Sequence, residues 1–151
     1  MTSDSPASKA SGFTLIELLV VVCIVGMLTA IAIPNLVSAQ RRAHYSRSAS
    51  DAKTAVTQAM LFGMDRNAYP TSLQALHQAG LASVSDADPW GVAYQLAPAL
   101  LAGAPPTAGG EAYIFSLGPY GTGGYPSPFS SNTGPGGSVG YSSVYGAWTG
   151  F

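Results

Sequence analysis

The sequence predicts an α+β protein in which one long N-terminal helix, membrane-spanning in its first half, packs on a small antiparallel sheet with a Gly/Pro-rich C-terminal region. Three observations support this fold class. A continuous apolar run follows a short polar start, apolar residues then recur at three- and four-residue spacing, and short alternating segments follow between turn sequences. At 151 residues the chain has room for one ordinary domain.

Composition narrows the class of protein. Only 9% of the residues are charged, against roughly 25% in an average soluble domain. We therefore expect much of the surface to lie against lipid or against copies of the same chain. The net charge of -1 argues against nucleic acid as a partner, because nucleic-acid binding needs a basic surface.

Residues 13–37 form the apolar run, after a polar and small-residue-rich stretch of residues 1–12. No charged residue occurs from Leu18 to Gln40. At about 1.5 Å per residue this is about 34 Å of helix, enough to cross a hydrocarbon core of about 30 Å. The span has three interpretations: a plain anchor, a secretory signal peptide whose removal leaves a start near Ile31, or a span retained after removal of the residues before it.

Glu17 decides among these interpretations, because an ionised carboxylate within a membrane span is costly unless it is paired and therefore marks a functional site. It ends the string GFTLIE at residues 12–17. This string resembles the processing site of type IV pilins and of the pseudopilins of type II secretion systems. The resemblance implies that residues 1–12 are a prepilin leader. It also implies that a prepilin peptidase cuts between Gly12 and Phe13, and that the new amine of Phe13 is methylated.

The resemblance further implies a pilin-like fold and a filament as the functional state. The chain is then a single-pass protein of the bacterial inner membrane with its globular part in the periplasm, in contact with membrane lipid before assembly and with copies of itself afterwards. Its other partners are minor pilins or pseudopilins and an inner-membrane assembly platform with its ATPase. After assembly, the subunit belongs to a periplasmic or surface filament.

Two residues are predicted to act in assembly together with Phe13. In low dielectric, the Phe13 amine and the Glu17 carboxylate of a neighbouring subunit neutralise each other, and this pairing sets the register between subunits. Pro34 lies inside the same transmembrane and assembly helix, residues 13–37. Because proline has no N–H, we expect it to kink or loosen that helix.

Residues 38–63 are predicted to continue the helix with an amphipathic pattern, ending near Gly63, with a loop from Asp65 to Pro70. Residues 64–151 then form the small C-terminal globular domain. The apolar face of the continuation consists of residues at helical spacing, namely Tyr45, Ala49, Ala52, Ala55, Val56, Ala59 and Phe62.

Within the globular domain, a short helix is predicted over residues 73–79, capped by Thr71 or Ser72 and stopped by Gly80. Residues 92–96 and 112–117 alternate as strands. Between them, no further element is predicted.

Three patterns in this domain resemble the major pseudopilin of type II secretion in particular. They are Tyr69-Pro70 before the short helix, the DPWG turn at residues 88–91, and SLG at residues 116–118. The resemblance would also imply calcium-binding aspartates in the following loop. Here that loop begins PYG and no Asp or Glu occurs after Glu111. Calcium needs several oxygen ligands, including carboxylates, so no metal is expected.

The C-terminal region is expected to be an irregular tail, because residues 103–151 contain 13 Gly and 6 Pro, too many for a continuous packed sheet. Its aromatic residues are expected to form a final strand or an aromatic patch, either in the core or as a contact surface. These residues, with one valine among them, are Tyr141, Val144, Tyr145, Trp148 and Phe151.

No catalytic or cofactor-binding motif is found. The chain lacks G-x-S-x-G, a Walker-type loop and HExxH. His44 and His77 have no His or Cys at metal-ligand spacing, and Asp86 and Asp88 are expected to stabilise a turn.

We therefore predict a structural subunit, not an enzyme, in a type II secretion pseudopilus that serves protein export. One alternative is a type IV pilin for adhesion, motility or DNA uptake. The absence of the C-terminal disulfide pair common in adhesive pilins favours the secretion function. The other alternative is a secreted soluble binding module with an ordinary signal peptide.

Overall fold

A computed structural model describes residues 12–81, 84–106, 110–134 and 136–151. The chain divides into two compact units, Met1–Ala39 and Gln40–Phe151. Its helices are α1 (Leu15–Arg66), α2 (Leu73–Gln78) and α3 (Pro98–Leu101), and its strands are β1 (Gln95–Leu96), β2 (Tyr113–Ser116), β3 (Val139–Ser142) and β4 (Gly146–Trp148). The predicted α+β class, a long N-terminal helix with a small antiparallel sheet, is confirmed.

In the first unit, helix α1 exposes its apolar side chains. Every described residue of this unit is exposed, including Phe13, whose side chain is 74% exposed. By length and composition, α1 is able to cross a membrane. So much exposed apolar surface is unfavourable in water, and it therefore requires a covering of lipid or of other protein chains.

In the second unit, α1 buries one face against the core. Five residues of the predicted apolar face are buried: Tyr45, Ala52, Ala55, Val56 and Ala59. Small residues on this face let the sheet and the short helices approach closely, and Val56 joins Leu76 and Ile114 in one hydrophobic cluster. Each such large apolar side chain stabilises the fold by about 1.5–3 kcal/mol when fully buried.

Helix α1 ends at Arg66, three residues beyond the predicted end at Gly63. Gly63 is a buried position within the helix, where a Cβ atom would lie 2.7 Å from Pro106 Cγ and 3.0 Å from Tyr69 Cδ1. Close packing therefore explains this glycine. The helix stops instead at Asn67, whose φ of 51° is the left-handed conformation that terminates many helices.

The short helix α2 begins as predicted. The Ser72 side chain accepts a hydrogen bond from Ala75 N at 3.2 Å, which satisfies one of the free N–H groups of the first turn. The chain leaves α2 through Gly80, whose φ is 71°. Helix α3 was not predicted. It begins with Pro98, whose ring suits the first helical position.

The sheet is antiparallel throughout, in the order β1-β2-β3-β4. The predicted strand at 92–96 is reduced to Gln95–Leu96, because the N–H of Val92 is used by the preceding turn. The strand at 112–117 is confirmed as Tyr113–Ser116.

The predicted irregular tail is wrong for residues 139–148, which form two strands rather than one. Gly140 pairs with Trp148 across this hairpin. A Cβ atom at Gly140 would lie 2.7 Å from Trp148 Cζ2, so the glycine makes room for the indole. Trp148 is the largest fully buried side chain in the described part of the chain.

A buried carboxylate joins the predicted DPWG turn to β2. Asp88 is 5% exposed, and its Oδ1 accepts hydrogen bonds from Trp90 N at 3.0 Å and Val92 N at 2.8 Å. Its Oδ2 accepts one from Ser116 Oγ at 2.6 Å. The expected turn-stabilising function is therefore present, and the link to Ser116 extends it across the unit. We name Asp88, Trp90, Val92 and Ser116 the Asp88 cluster.

Stability is expected to fall in alkali because of Tyr94. Burial raises the pKa of its phenol, and its hydroxyl donates to Asp51 Oδ2 at 3.3 Å. The folded state then holds the proton more tightly than the unfolded state. Stability is complete below the unfolded pKa of about 10 and is lost as pH rises further. We expect the urea midpoint to fall above about pH 10, and to fall less steeply in Tyr94→Phe. Tyr120→Phe, which alters an exposed tyrosine, serves as the control and should leave the profile unchanged.

Candidate functional site at the start of the long helix

The peptide bond between Gly12 and Phe13 precedes α1 in exposed, non-helical chain. Among the residues that the structure describes, a Cβ atom at Gly12 would have no neighbour within 4 Å, so none of these residues blocks the approach of an enzyme to the bond. The rest of the predicted leader, residues 1–11, lies outside the described residues. The described part of the site thus presents an accessible bond directly before the apolar helix.

Glu17 and Thr14 form a reciprocal cap at the start of α1. Glu17 Oε2 accepts hydrogen bonds from Thr14 N at 3.0 Å and from Thr14 Oγ1 at 2.8 Å. In return, Glu17 N donates to Thr14 Oγ1 at 3.3 Å. This is the capping-box arrangement, which satisfies N–H groups that have no partner within the helix.

Electrostatics favour the carboxylate at this position, because the N-terminal end of a helix carries partial positive charge. Both side-chain bonds of the cap use Oε2. Within residues 12–81, 84–106, 110–134 and 136–151, Oε1 accepts no hydrogen bond and no cation forms a salt bridge with Glu17. One carboxylate oxygen therefore stays available for an outside donor while the other holds the cap.

Apolar side chains surround this carboxylate. Phe13, Ile16, Val20 and Val21 line a shallow groove together with Glu17. The structure thus brings the predicted site residues Phe13 and Glu17 together on one stretch of surface. A charge held on an otherwise apolar surface gains strongly from an oppositely charged partner once that surface is covered.

Pro34 is not part of this constellation, since it follows Glu17 by 17 residues, about 25 Å of helix. Helix α1 continues through Pro34, although proline removes one backbone hydrogen bond. Two hydroxyls bond to the backbone nearby. Thr29 Oγ1 donates to Val25 O at 2.9 Å, and Ser38 Oγ donates to Pro34 O at 3.0 Å. Neither hydroxyl bonds to the Ala30 carbonyl, which is the group that the missing N–H of Pro34 leaves without its helical donor.

Thr14 is a site residue that sequence reasoning missed. The signal was present, because a Thr followed three residues later by Glu before an apolar run is the pattern of a capping box.

Comparison with known proteins gives two kinds of similarity. Residues 7–33 match the family described as the prokaryotic N-terminal methylation motif. Over 129 residues the chain is 31% identical to type II secretion system core protein G of Dickeya chrysanthemi, covering 75% of this chain and 80% of that protein. The same protein of Klebsiella pneumoniae is also 31% identical over 129 residues, with coverage of 75% and 87%.

A shorter similarity concerns a pilus protein. The type IV wide pilus major component PilA4 of Thermus thermophilus is 40% identical over 75 residues, which cover 50% of this chain and 57% of that protein.

Proposed function

This chain belongs to the family of type II secretion system core protein G, and we propose that it is a structural subunit of a pseudopilus that polymerises through the first half of α1. The observation that carries the proposal is the placement of Glu17. Its carboxylate is held at the start of an exposed apolar helix, four residues after an accessible Gly12–Phe13 bond.

We further propose that cleavage after Gly12 prepares the subunit for assembly. The cut creates a cationic amine on Phe13, one residue before the cap. That amine of one subunit pairs with the free Oε1 of Glu17 in its neighbour, while Oε2 keeps its bonds to Thr14. The pair neutralises two charges that are each unfavourable in an apolar filament core.

The exposed apolar surface of α1 supports a membrane-bound state of the subunit that is followed by an assembled state. Before assembly, lipid of the inner membrane covers the apolar rod, with the globular unit in the periplasm. After assembly, the same side chains pack against other subunits. Prepilin peptidase, an assembly platform with its ATPase, and minor pseudopilins are the partners that this route requires.

The share of the chain that is similar to each relative favours a function in type II secretion over a function in a type IV pilus. The similarity to core protein G extends over 75% of this chain, whereas that to the pilus component covers 50%. Glu17 argues against a secreted module with an ordinary signal peptide. A signal peptide needs an apolar central part, and a capped carboxylate at the fifth residue of that part is unfavourable there.

Mass spectrometry of the mature N-terminus tests this function. We expect the chain purified from membranes to begin with N-methyl-Phe13. Gly12→Val should leave the uncut precursor as the main species, because a side chain at that position obstructs approach to the bond. Gly26→Val, at an equally open glycine within the helix, serves as the control and should be processed normally.

A mature chain that begins near Ile31 would contradict the proposal and support the secreted module. If processing is as expected, loss of protein export with retained surface motility in a strain lacking this chain identifies the secretion pseudopilus. The opposite pair of phenotypes identifies the type IV pilus.

A further inference from the structure

The connection between β2 and β3, residues 117–138, is long for a segment without helix or strand. Loops of this length in compact domains usually have a function or are poorly ordered. Here the connection contains no Asp, Glu, Lys or Arg, so no ion pair within it holds it together. Something else must hold its described parts, residues 117–134 and 136–138, on the sheet.

Ser138 provides that attachment. It is 1% exposed, and its Oγ donates a hydrogen bond to Gly124 O at 2.5 Å and accepts one from Trp148 Nε1 at 3.1 Å. Its carbonyl oxygen accepts a bond from Thr133 Oγ1 at 2.8 Å. We name Ser138, Gly124, Thr133 and Trp148 the Ser138 hub. Through the buried Ser138 and Trp148 it joins two points of the connection, the exposed Gly124 and the half-buried Thr133, to β4.

The hub is also attached to helix α1. The neighbouring carbonyl of Gly137 accepts a hydrogen bond from the Tyr45 hydroxyl at 3.4 Å. Because Tyr45 is buried against the core, this bond links the end of the connection to the helix face. The connection is thus held to both the sheet and the helix by hydrogen bonds between neutral groups. One further bond, from the Tyr125 hydroxyl to the Glu111 carboxylate, ties it to the segment before β2.

A calcium ion does not suit this connection. Among the residues that the structure describes, no group of three His, Cys, Asp or Glu side chains lies together. Several backbone oxygens already accept hydrogen bonds inside the connection: Leu117 O from Gly123 N, Gly118 O from Gly121 N, and Gly134 O from Gly137 N. Calcium takes six to eight oxygen ligands and prefers carboxylates among them, and this connection supplies no carboxylate.

We propose that the Ser138 hub takes the place of a bound cation in this connection, so that the fold of the globular unit, and with it the assembly of the subunit, is independent of calcium. The hub holds the connection with groups that belong to the chain itself. The hub itself contains neither a metal nor a charged side chain, only one buried hydroxyl with a partner on each side.

Thermal unfolding of the full chain in detergent micelles tests this inference. The unfolding midpoint should be the same in excess calcium chloride and in excess EGTA, within about 1 °C. Ser138→Ala should lower it by about 5 °C or more, because Trp148 Nε1 is left buried without a partner and Gly124 O loses its bond to the hub. Thr133→Val, which removes one hub bond, should give a smaller decrease.

Ser130→Ala is the matched control. Ser130 lies in the same connection and is exposed, and its hydroxyl bonds only to the nearby Asn132 backbone, so its midpoint should stay within about 1 °C of the wild-type value. A lower midpoint of the wild-type chain in EGTA overturns calcium independence, and this measurement does not require any variant to fold. An equal effect of Ser138→Ala and Ser130→Ala overturns the function of the hub.

Discussion

Glu17→Gln is expected to lower the yield of sheared filaments by about 100-fold or more, while the subunit still enters the membrane normally. Removing one partner of a buried ion pair is strongly destabilising, because it leaves the other charge, here the Phe13 amine, in an apolar filament core without a partner. Glutamine keeps an oxygen that accepts from Thr14 N, so the cap of α1 is preserved and only the charge is lost. Filament yield is measured in the sheared fraction, and insertion by alkaline extraction of membranes.

Thr14→Val provides the converse variant. It removes the hydroxyl that donates to Glu17 Oε2 and accepts from Glu17 N, but the carboxylate remains for the neighbouring subunit. Loss of a cap costs about 1 kcal/mol, so we expect assembly within a few-fold of the wild type. Normal filaments from Glu17→Gln together with few filaments from Thr14→Val would show that Glu17 acts as a helix cap and not as an ion-pair partner.

Asp88→Ala is expected to destabilise the globular unit by about 3–5 kcal/mol. The change removes the acceptor of three hydrogen bonds in the Asp88 cluster. Ser116 Oγ then loses its partner in the buried interior, and Trp90 N and Val92 N lose theirs at half-buried positions. Denaturant unfolding of the full chain in micelles measures the loss as a lower midpoint at unchanged slope.

Two further variants distinguish loss of the hydrogen bonds of the Asp88 cluster from the general effect of removing a carboxylate. Asp88→Asn keeps an acceptor at the position of Oδ1 for the two backbone N–H groups but presents an amide N–H₂ to Ser116 Oγ, so its loss should be smaller. Asp86→Ala removes a carboxylate whose side chain is 63% exposed and should change stability by about 0.5 kcal/mol or less. If Asp88→Ala matches Asp86→Ala, the cluster does not hold the turn to the sheet.

The elements with strong local signals were predicted from the sequence. The apolar span, the buried face of α1 that contains Ala52 and Val56, the Ser72 cap and the DPWG turn all depend on nearby residues. The family was likewise recognisable from the GFTLIE string and the patterns after it. Local chemistry and local spacing were sufficient in these cases.

The errors came from contacts between distant parts of the chain. Gly63 was interpreted as a helix stop because its packing partners, Tyr69 and Pro106, are contributed by later segments. The C-terminal hairpin was not predicted because Gly140 weakens a strand by itself, and its close neighbours, Ile114, Phe115 and Trp148, come from other strands. Composition showed that the region is rich in glycine, and only the three-dimensional fold shows which glycines lie within strands.

The Thr14 cap was a different kind of omission, since its pattern is local. A Thr three residues before a Glu at a helix start predicts that one carboxylate oxygen caps the helix, which leaves the other for the amine of a neighbouring subunit. The structure shows that a single Glu17 side chain has enough acceptor positions for both partners.

The position of Trp148 has a consequence for biogenesis. The indole at the centre of the globular unit arrives near the end of the chain, and Tyr45 on α1 bonds to a carbonyl 92 residues further on. Closing such distant contacts is entropically slow. The face of α1 that carries Tyr45 therefore stays uncovered until residues near the carboxyl end of the chain are available. During that interval the unfinished subunit exposes apolar surface that the folded unit buries, which is the state in which chains aggregate most readily.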